Sequence, residues 1–486
     1  MSSCLASLLL GMDYKNIIHP EITKNSLPKV LEKIPGMNPS QVHQAIGSYM
    51  LADGSTIVFD AERSHGAYLV DAVTGREYID FYTFFASIPV GYNHPRVKDP
   101  EFLEKITHAA IHKPASADIY TPEMAEFVET FGRLAMPESM PHLFLVSGGS
   151  LAVENALKTA FDWKARKNFA AMANADLQTA LPAMIDGLGS KVLHFREAFH
   201  GRSGYTMSLT NTDDPRKYMY FPKFDWPRIV NPKLRFPMDD EVTEEVSRLE
   251  EIAFIQIQTA LNQYKGDMAA LIIETIQGEG GDNHFRPEFL RELRRLADEY
   301  EFLLIFDEVQ SGMGVTGKMW AFEHYDCQPD IFAFGKKSQV CGIVAGKRIE
   351  EVSNHVFAES SRINSTFGGN LVDMVRCTRY LEIIEEENLL EHTAKVGDKM
   401  IRELQSVADE SKGLMTNVRG KGFMIAYDLP NQRKRDGMVK KLFENGLQVL
   451  KSGNRSVRFR GMLDTSEEVV DKAMEIIARS IPTSTM

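Results

Sequence analysis

Asp330-Ile331-Phe332-Ala333-Phe334-Gly335-Lys336-Lys337 is the stretch on which the fold turns. Its first half is short, apolar and ends in glycine, so it reads as a buried strand. Two lysines at the exit of such a strand are unusual, because lysine is rarely buried without a purpose. Desolvation disfavours the ammonium, lowers its pKa and exposes a nucleophilic amine. Taken alone, the stretch is more simply a surface lysine pair, and it does not choose between Lys336 and Lys337. The segments upstream change that reading.

Phe302 to Phe306 is a fully apolar strand suited to the centre of a parallel sheet, and it runs into Asp307-Glu308-Val309-Gln310-Ser311-Gly312. An acid directly after a buried strand needs a partner. Ala269 to Ile273 ends at Glu274 and is followed by Gln277-Gly278-Glu279-Gly280-Gly281-Asp282. Pro287 then opens a helix with Phe289, Leu290, Leu293, Leu296 and Ala297 on one face. Lys191 to Phe195 leads into Ala198-Phe199-His200-Gly201-Arg202-Ser203-Gly204, an aromatic plate beside an anion-binding guanidinium. Leu143 to Val146 ends in Ser147-Gly148-Gly149-Ser150, and a helix follows with Val153, Ala156, Leu157, Ala160 and Phe161 in its stripe. A glycine turn at a helix start points free amides and the helix dipole at one spot, which favours a phosphate. The turn is not GxGxxG, which disfavours a dinucleotide fold. In open α/β sheets ligands bind outside the carboxyl ends of the strands. Five such ends here supply a phosphate cradle, an aromatic plate, buried acids and a desolvated lysine. That set suits pyridoxal 5'-phosphate, which has a phosphate, a flat ring, a basic ring nitrogen and an aldehyde.

The rest of the chain bounds the reading. Its 486 residues are 43% hydrophobic and 25% charged, an ordinary globular composition that accommodates two domains. A net charge of -12 argues against nucleic-acid or anionic-membrane partners. Cys4, Cys327, Cys341 and Cys377 show no zinc spacing, and a reduced, cytoplasmic protein is expected. Leu8-Leu9-Leu10 is too short for a signal or membrane segment, and Met12 is an alternative start. Helix is expected over Pro28 to Ile34. Strands are expected at Tyr68 to Val70 and Tyr78 to Phe81, around a turn at Thr74-Gly75. The aromatic segment Phe81 to Tyr92 follows as core or substrate wall. Ala170 to Gly187 reads as a helical insertion, Trp226 to Pro237 as loop and Thr243 to Tyr264 as helix. Beyond residue 370 come a long helical stretch to Ser411, a strand with a glycine bend over Met415 to Tyr427, and short strands near Leu447 to Leu450 and Val457 to Phe459. A last helix over Thr465 to Ile481 is capped by Thr465 with Glu468. Arg458 and Arg460 share one side of their strand and can meet a carboxylate.

From about Gly66 to the last helix, the chain resembles the class III, fold-type I aminotransferases. The motifs are Phe306-Asp307-Glu308-Val309-Gln310-Ser311-Gly312, Glu274 to Asp282, Phe334-Gly335-Lys336 and Asn364-Ser365-Thr366-Phe367-Gly368-Gly369-Asn370. Within the family they are most similar to members that move the ε-amino group of L-lysine to 2-oxoglutarate. The same chemistry on 4-aminobutyrate, ornithine or another ω-amine is the alternative. A racemase or decarboxylase on the same fold is less consistent with two arginines and a gating acid, and an inactive scaffold with the joint presence of Lys336, Asp307, Gln310 and Glu279. The resemblance implies an α/β fold: a large domain (96–368) with a mainly parallel seven-stranded sheet flanked by helices, and a smaller α+β domain (369–486) joined by the segment 1–95. It implies that Lys336 condenses with the cofactor aldehyde and shuttles the proton, that Asp307 pairs with the ring nitrogen, and that Gln310 bonds the phenolic oxygen. Phe199 would stack on the ring, and Gly149 and Ser150 would hold the phosphate. Thr366 would reach the phosphate of a neighbouring subunit, making a homodimer with shared active sites. Arg202 would take the α-carboxylate of lysine and Arg458 that of 2-oxoglutarate. Glu279 would gate Arg458, and Asn364 would belong to the substrate site. Glu274 is expected to support the cofactor side. Three positions depart from the family pattern: Thr275 where proline is common, Ser150 where a smaller residue is common, and Gly461-Met462 in place of Pro-Pro after Arg460.

Overall fold

The computed structural model describes residues 36–171 and 187–481. Leu8 to Leu10, Met12, the expected helix Pro28 to Ile34 and all but the ends of the insertion Ala170 to Gly187 lie outside those residues. Among the described residues, 36–58 with 72–74 form one compact unit. It carries the helix Val42–Gly47, and His43 Nε2 meets the Ser55 carbonyl at 2.9 Å.

Among the described residues, the second unit holds three sheets. β1 (Tyr68–Val70) and β2 (Glu77–Asp80) pair antiparallel, as the alternation around Gly75 predicts. Then strands and helices alternate: β3 (His142–Val146), β4 (Lys191–Phe195), β5 (Arg228–Ile229), β6 (Met268–Ile273), β7 (Leu303–Asp307), β8 (Ile331–Phe334) and β9 (Cys341–Ala345). They make one seven-stranded sheet in the order β3-β9-β8-β7-β6-β4-β5. All neighbours run parallel except β9, which is antiparallel to both β3 and β8.

The continuous apolar runs of β6 to β8 follow from helices covering both faces. Alternate residues divide between two cores. Leu271, Ile273, Leu304, Phe306, Phe332 and Phe334 join Phe289, Leu290 and Leu293 of the helix Pro287–Glu299. Ala270, Ile272, Leu303, Ile305, Ile331 and Ala333 meet Val153, Ala156, Leu157 and Trp163 of the helix Gly149–Ala171.

The third sheet, β10 (Thr416–Lys421), β11 (Met424–Asp428), β13 (Leu450–Ser452) and β14 (Ser456–Arg460), has the order β10-β11-β14-β13. Between them β12 (Leu447–Gln448) pairs parallel with β2, tying the early hairpin to the late part of the chain.

Four local expectations are corrected. Arg228–Ile229 inside the expected loop Trp226 to Pro237 is an edge strand, too short to show alternation. β9 is a further strand, antiparallel to its neighbours, whose fully buried run follows the lysine turn with no polar break to mark it in the sequence. The single bent strand over Met415 to Tyr427 is a hairpin, turned at Gly422 (φ +53°). The last helix, Glu467–Ser480, is capped by Ser466, whose Oγ accepts the Val469 amide at 3.3 Å. Thr465 lies one residue too early for that bond.

Candidate active site

Because β3, β4, β6, β7 and β8 are parallel, their carboxyl ends share one edge of the sheet, and the unusual polar residues gather there. After β3, the helix Gly149–Ala171 starts directly, leaving first-turn amides with no carbonyl of their own turn to bond. The turn is tight: a Cβ on Gly149 would lie 2.9 Å from Val309 Cγ1. Ser150 is accommodated by Gly201 (φ +124°), where a Cβ would come within 1.9 Å of the Ser150 hydroxyl. That hydroxyl accepts the Arg202 amide at 3.2 Å, so the helix start also fixes the backbone of the arginine. Glu154 anchors the next residues, accepting from Ser203 Oγ at 2.7 Å and the Tyr205 amide at 2.8 Å. The Arg202 guanidinium is exposed and, among the described residues, has no ion-pair partner.

The acids at β6 and β7 are both buried. Glu274 accepts the Phe199 and Gly278 amides at 2.9 Å each, and burial pushes its carboxyl up to about 7. Asp307 meets His200 Nδ1 at 2.7 Å through one oxygen and accepts the Val309 amide at 3.1 Å through the other. His200 is the partner that a strand-end acid requires. The quoted Phe-His-Gly-Arg motif carried that signal without assigning it.

The two lysines part company. Lys337 is buried and donates to the carbonyls of Ile88 (2.9 Å) and Gly461 (3.3 Å), and burial pushes it down to about 7. The Lys336 amine makes no hydrogen bond among the described residues. Burial, followed by the field of Arg458, lowers its pKa. Its backbone is left-handed (φ +53°), which turns its side chain independently of its neighbour's.

Arg458 and Arg460 reach the same edge from β14. Arg458 donates to Glu279 Oε2 at 2.8 Å and to Gln310 Oε1 at 3.1 Å. Arg460 donates to Gln310 Oε1 at 2.9 Å and pairs with Asp282. Both guanidiniums use the carbonyl oxygen of Gln310, which leaves its amide group free to donate elsewhere. Burial alone would push the Glu279 carboxyl up, but Arg458 and Lys217 outweigh it and hold it below its ordinary value. Lys217 carried no signal in the sequence, and Asp282 closed a quoted motif without being given a role.

Gly461 answers its own departure: a Cβ there would lie 2.7 Å from the Phe423 ring, and its carbonyl is held by Lys337. Asn364 and Thr366 lie on an exposed stretch. Asn364 Oδ1 accepts the Ser365 amide at 2.7 Å, and neither residue joins the Lys336 group by a hydrogen bond among the described residues.

The class-III aminotransferase family model matches residues 49–481. The chain is 48% identical over 448 residues to the L-lysine-epsilon aminotransferase of Mycobacterium tuberculosis, covering 92% of this chain and 96% of that one. It is 30% identical to the mitochondrial 4-aminobutyrate aminotransferase of Mus musculus, over 90% and 87% of the two chains. The lysine aminotransferase from M. tuberculosis, solved in its internal aldimine form, superposes with a TM-score of 0.86 at 48% identity, covering 92% and 99%. The chain belongs to the class-III aminotransferases, enzymes of fold type I that work with pyridoxal 5'-phosphate.

Proposed function

We propose that this enzyme moves the ε-amino group of L-lysine to 2-oxoglutarate, giving 2-aminoadipate 6-semialdehyde and glutamate in two half-reactions at one site. The observation that carries the reading is the pair of arginines in opposite states: Arg202 free, Arg458 neutralised by Glu279. The relatives named for lysine at 45% to 48% identity support it.

The residues present fit the cofactor. First-turn amides at Gly149 and Ser150 suit its phosphate, and Phe199 offers a face for the ring. Asp307, held by His200, would keep the ring nitrogen protonated. The free amide of Gln310 suits the phenolic oxygen, and Lys336 suits the aldehyde. Bound pyridoxal 5'-phosphate supplies the carbonyl that accepts the amine and the electron sink that makes the adjacent C–H bond acidic.

Arg202 takes the α-carboxylate of lysine, which presents the ε-amine rather than the α-amine to the reacting centre. Glu279 meanwhile neutralises Arg458, so no second anion is drawn in. Lys336 Nζ, whose pKa is lowered by burial and by Arg458, would take the proton from the ε-carbon and return it to the carbonyl carbon of the cofactor on the same face. In the second half-reaction Glu279 leaves Arg458, which then binds the α-carboxylate of 2-oxoglutarate, and Arg202 binds the distal carboxylate. Asn364 contributes to the substrate site. Thr366 completes the phosphate site of a neighbouring subunit, so the working unit is a homodimer. We assign residues 96–368 to the large cofactor-binding domain, and 1–95 with 369–486 to the smaller one. No helix among the described residues is long and apolar enough to cross a membrane, and we place the enzyme in the cytoplasm.

The test is isotopic. With L-lysine labelled with nitrogen-15 at the ε position, the label passes into glutamate; with α-labelled lysine it does not. Transfer from the α position, or transfer only from 4-aminobutyrate or ornithine, would refute the substrate assignment.

A further inference from the structure

The Glu279 carboxylate is held by two cations from two different elements, one on each oxygen. Oε2 meets Arg458 at 2.8 Å, and Oε1 meets Lys217 at 2.5 Å. Lys217 ends a short 3-10 turn, Pro215–Lys217, whose start is fixed locally. Asp214 accepts the Arg216 amide at 3.2 Å and pairs with the Arg216 side chain at 2.8 Å. Lys217 Nζ also stands 6.0 Å from the centre of the Phe199 ring, over the floor of the site.

The backbone around Glu279 has no room to follow the carboxylate. A Cβ on Gly278 would lie 2.4 Å from Gln310 Oε1, and one on Gly280 would lie 2.0 Å from the Glu197 carbonyl. The Glu279 carbonyl is held by the Gly453 amide at 2.9 Å. Any opening is therefore a rotation of the side chain about a fixed backbone. A carboxylate that left Arg458 for no new partner would remain half-buried and uncompensated, which is the costly outcome for an ion pair broken on one side. Lys217 removes that cost, because the carboxylate can leave the arginine without leaving both cations.

We propose that Lys217 is a positioning residue that retains the Glu279 carboxylate when a dicarboxylate takes Arg458, and so sets how readily the site changes from amine donor to oxo-acid acceptor. This rests on the reading of Glu279 as a gate. Lys217 acts through Glu279 rather than on the substrate. Removing it leaves the carboxylate with Arg458 as its sole partner and closes the site to the second substrate.

The experiment is a double-mutant cycle on the purified holoenzyme. Binding of glutarate, a dicarboxylate with no reacting carbonyl, is measured by calorimetry, and KM is measured separately for 2-oxoglutarate and L-lysine. Lys217→Met weakens glutarate about tenfold and raises KM for 2-oxoglutarate by a similar factor, more than it changes KM for L-lysine. Lys217→Arg restores most of the loss. In a Glu279→Gln background, Lys217→Met has no further effect on glutarate.

Four results would overturn the proposal. If the effect persists undiminished in the Glu279→Gln background, Lys217 binds the dicarboxylate itself. Equal losses for both substrates without rescue by arginine would mark a structural role, and an unchanged glutarate affinity would mean no role. A Glu279→Gln variant that leaves glutarate binding and both KM values unchanged removes the gate itself. That outcome is distinct from failure of Lys217 alone.

Discussion

Lys336 and Lys337 are chemically identical neighbours, and the chain gives them opposite tasks. Lys336, with a left-handed backbone, stands in the field of Asp307, Glu274 and Glu279, whereas Lys337 stands in that of Asp80 and Asp464. Lys337 is bound to two carbonyls and serves as a tie between the turn, Ile88 and Gly461. Lys336 has no such tie and stands in the field of Arg458. Reduction of the holoenzyme with borohydride followed by peptide mapping will therefore find the pyridoxyl group on Lys336. A modified Lys337 would contradict this. The order of residues in the strand exit already pointed to one of the pair, because a buried strand ending in lysine asks for a use. The stretch itself did not choose between them; the resemblance of Phe334-Gly335-Lys336 to the family motif did, and no local pattern marks a φ of +53° at a lysine. Lys217 was illegible for a different reason: it lies 62 residues from Glu279 and in a turn with ordinary solvated composition.

At the level of elements, the strand ends explain why acids sit where acids are expensive. Glu308 is only 1% exposed, and burial raises its pKa. It is satisfied by Thr275 Oγ1 (2.6 Å), Ser311 Oγ (2.7 Å) and the amides of Ala321 and Phe322 (3.0 Å each). Threonine in place of the more usual proline is thus a donor that links β6 to the segment after β7. Thr275→Val deletes one donor to a buried carboxyl and should cost about 1–3 kcal/mol, read as a lower urea midpoint of the holoenzyme. An unchanged midpoint would show that the other three donors suffice. The long apolar strands and amphipathic helices were legible because their periods match their burial. The failures were β5, whose two residues have no period, β9, whose fully buried run follows the lysine turn with no polar break, and a helix start displaced by one hydroxyl, from Thr465 to Ser466.

On the scale of the whole molecule, the account requires one site to accept a cation and a dianion in turn, and requires the neighbouring subunit to complete it. Thr366 stands exposed on its own chain, as a residue serving another subunit would. Lys336→Ala and Thr366→Trp are each expected to be nearly inactive alone. Mixed under conditions that exchange subunits, they should regain activity, because one site of each hybrid then has an intact Lys336 and an intact neighbour's Thr366. Absence of recovery in proven hybrids would place both residues in one subunit's site. The most direct test of the central claim is the visible absorption of the purified holoenzyme, first with L-lysine alone and then with 2-oxoglutarate. The account predicts that the cofactor band bleaches with lysine and returns with 2-oxoglutarate. A band that lysine leaves unchanged while 4-aminobutyrate or ornithine bleaches it would contradict the claim.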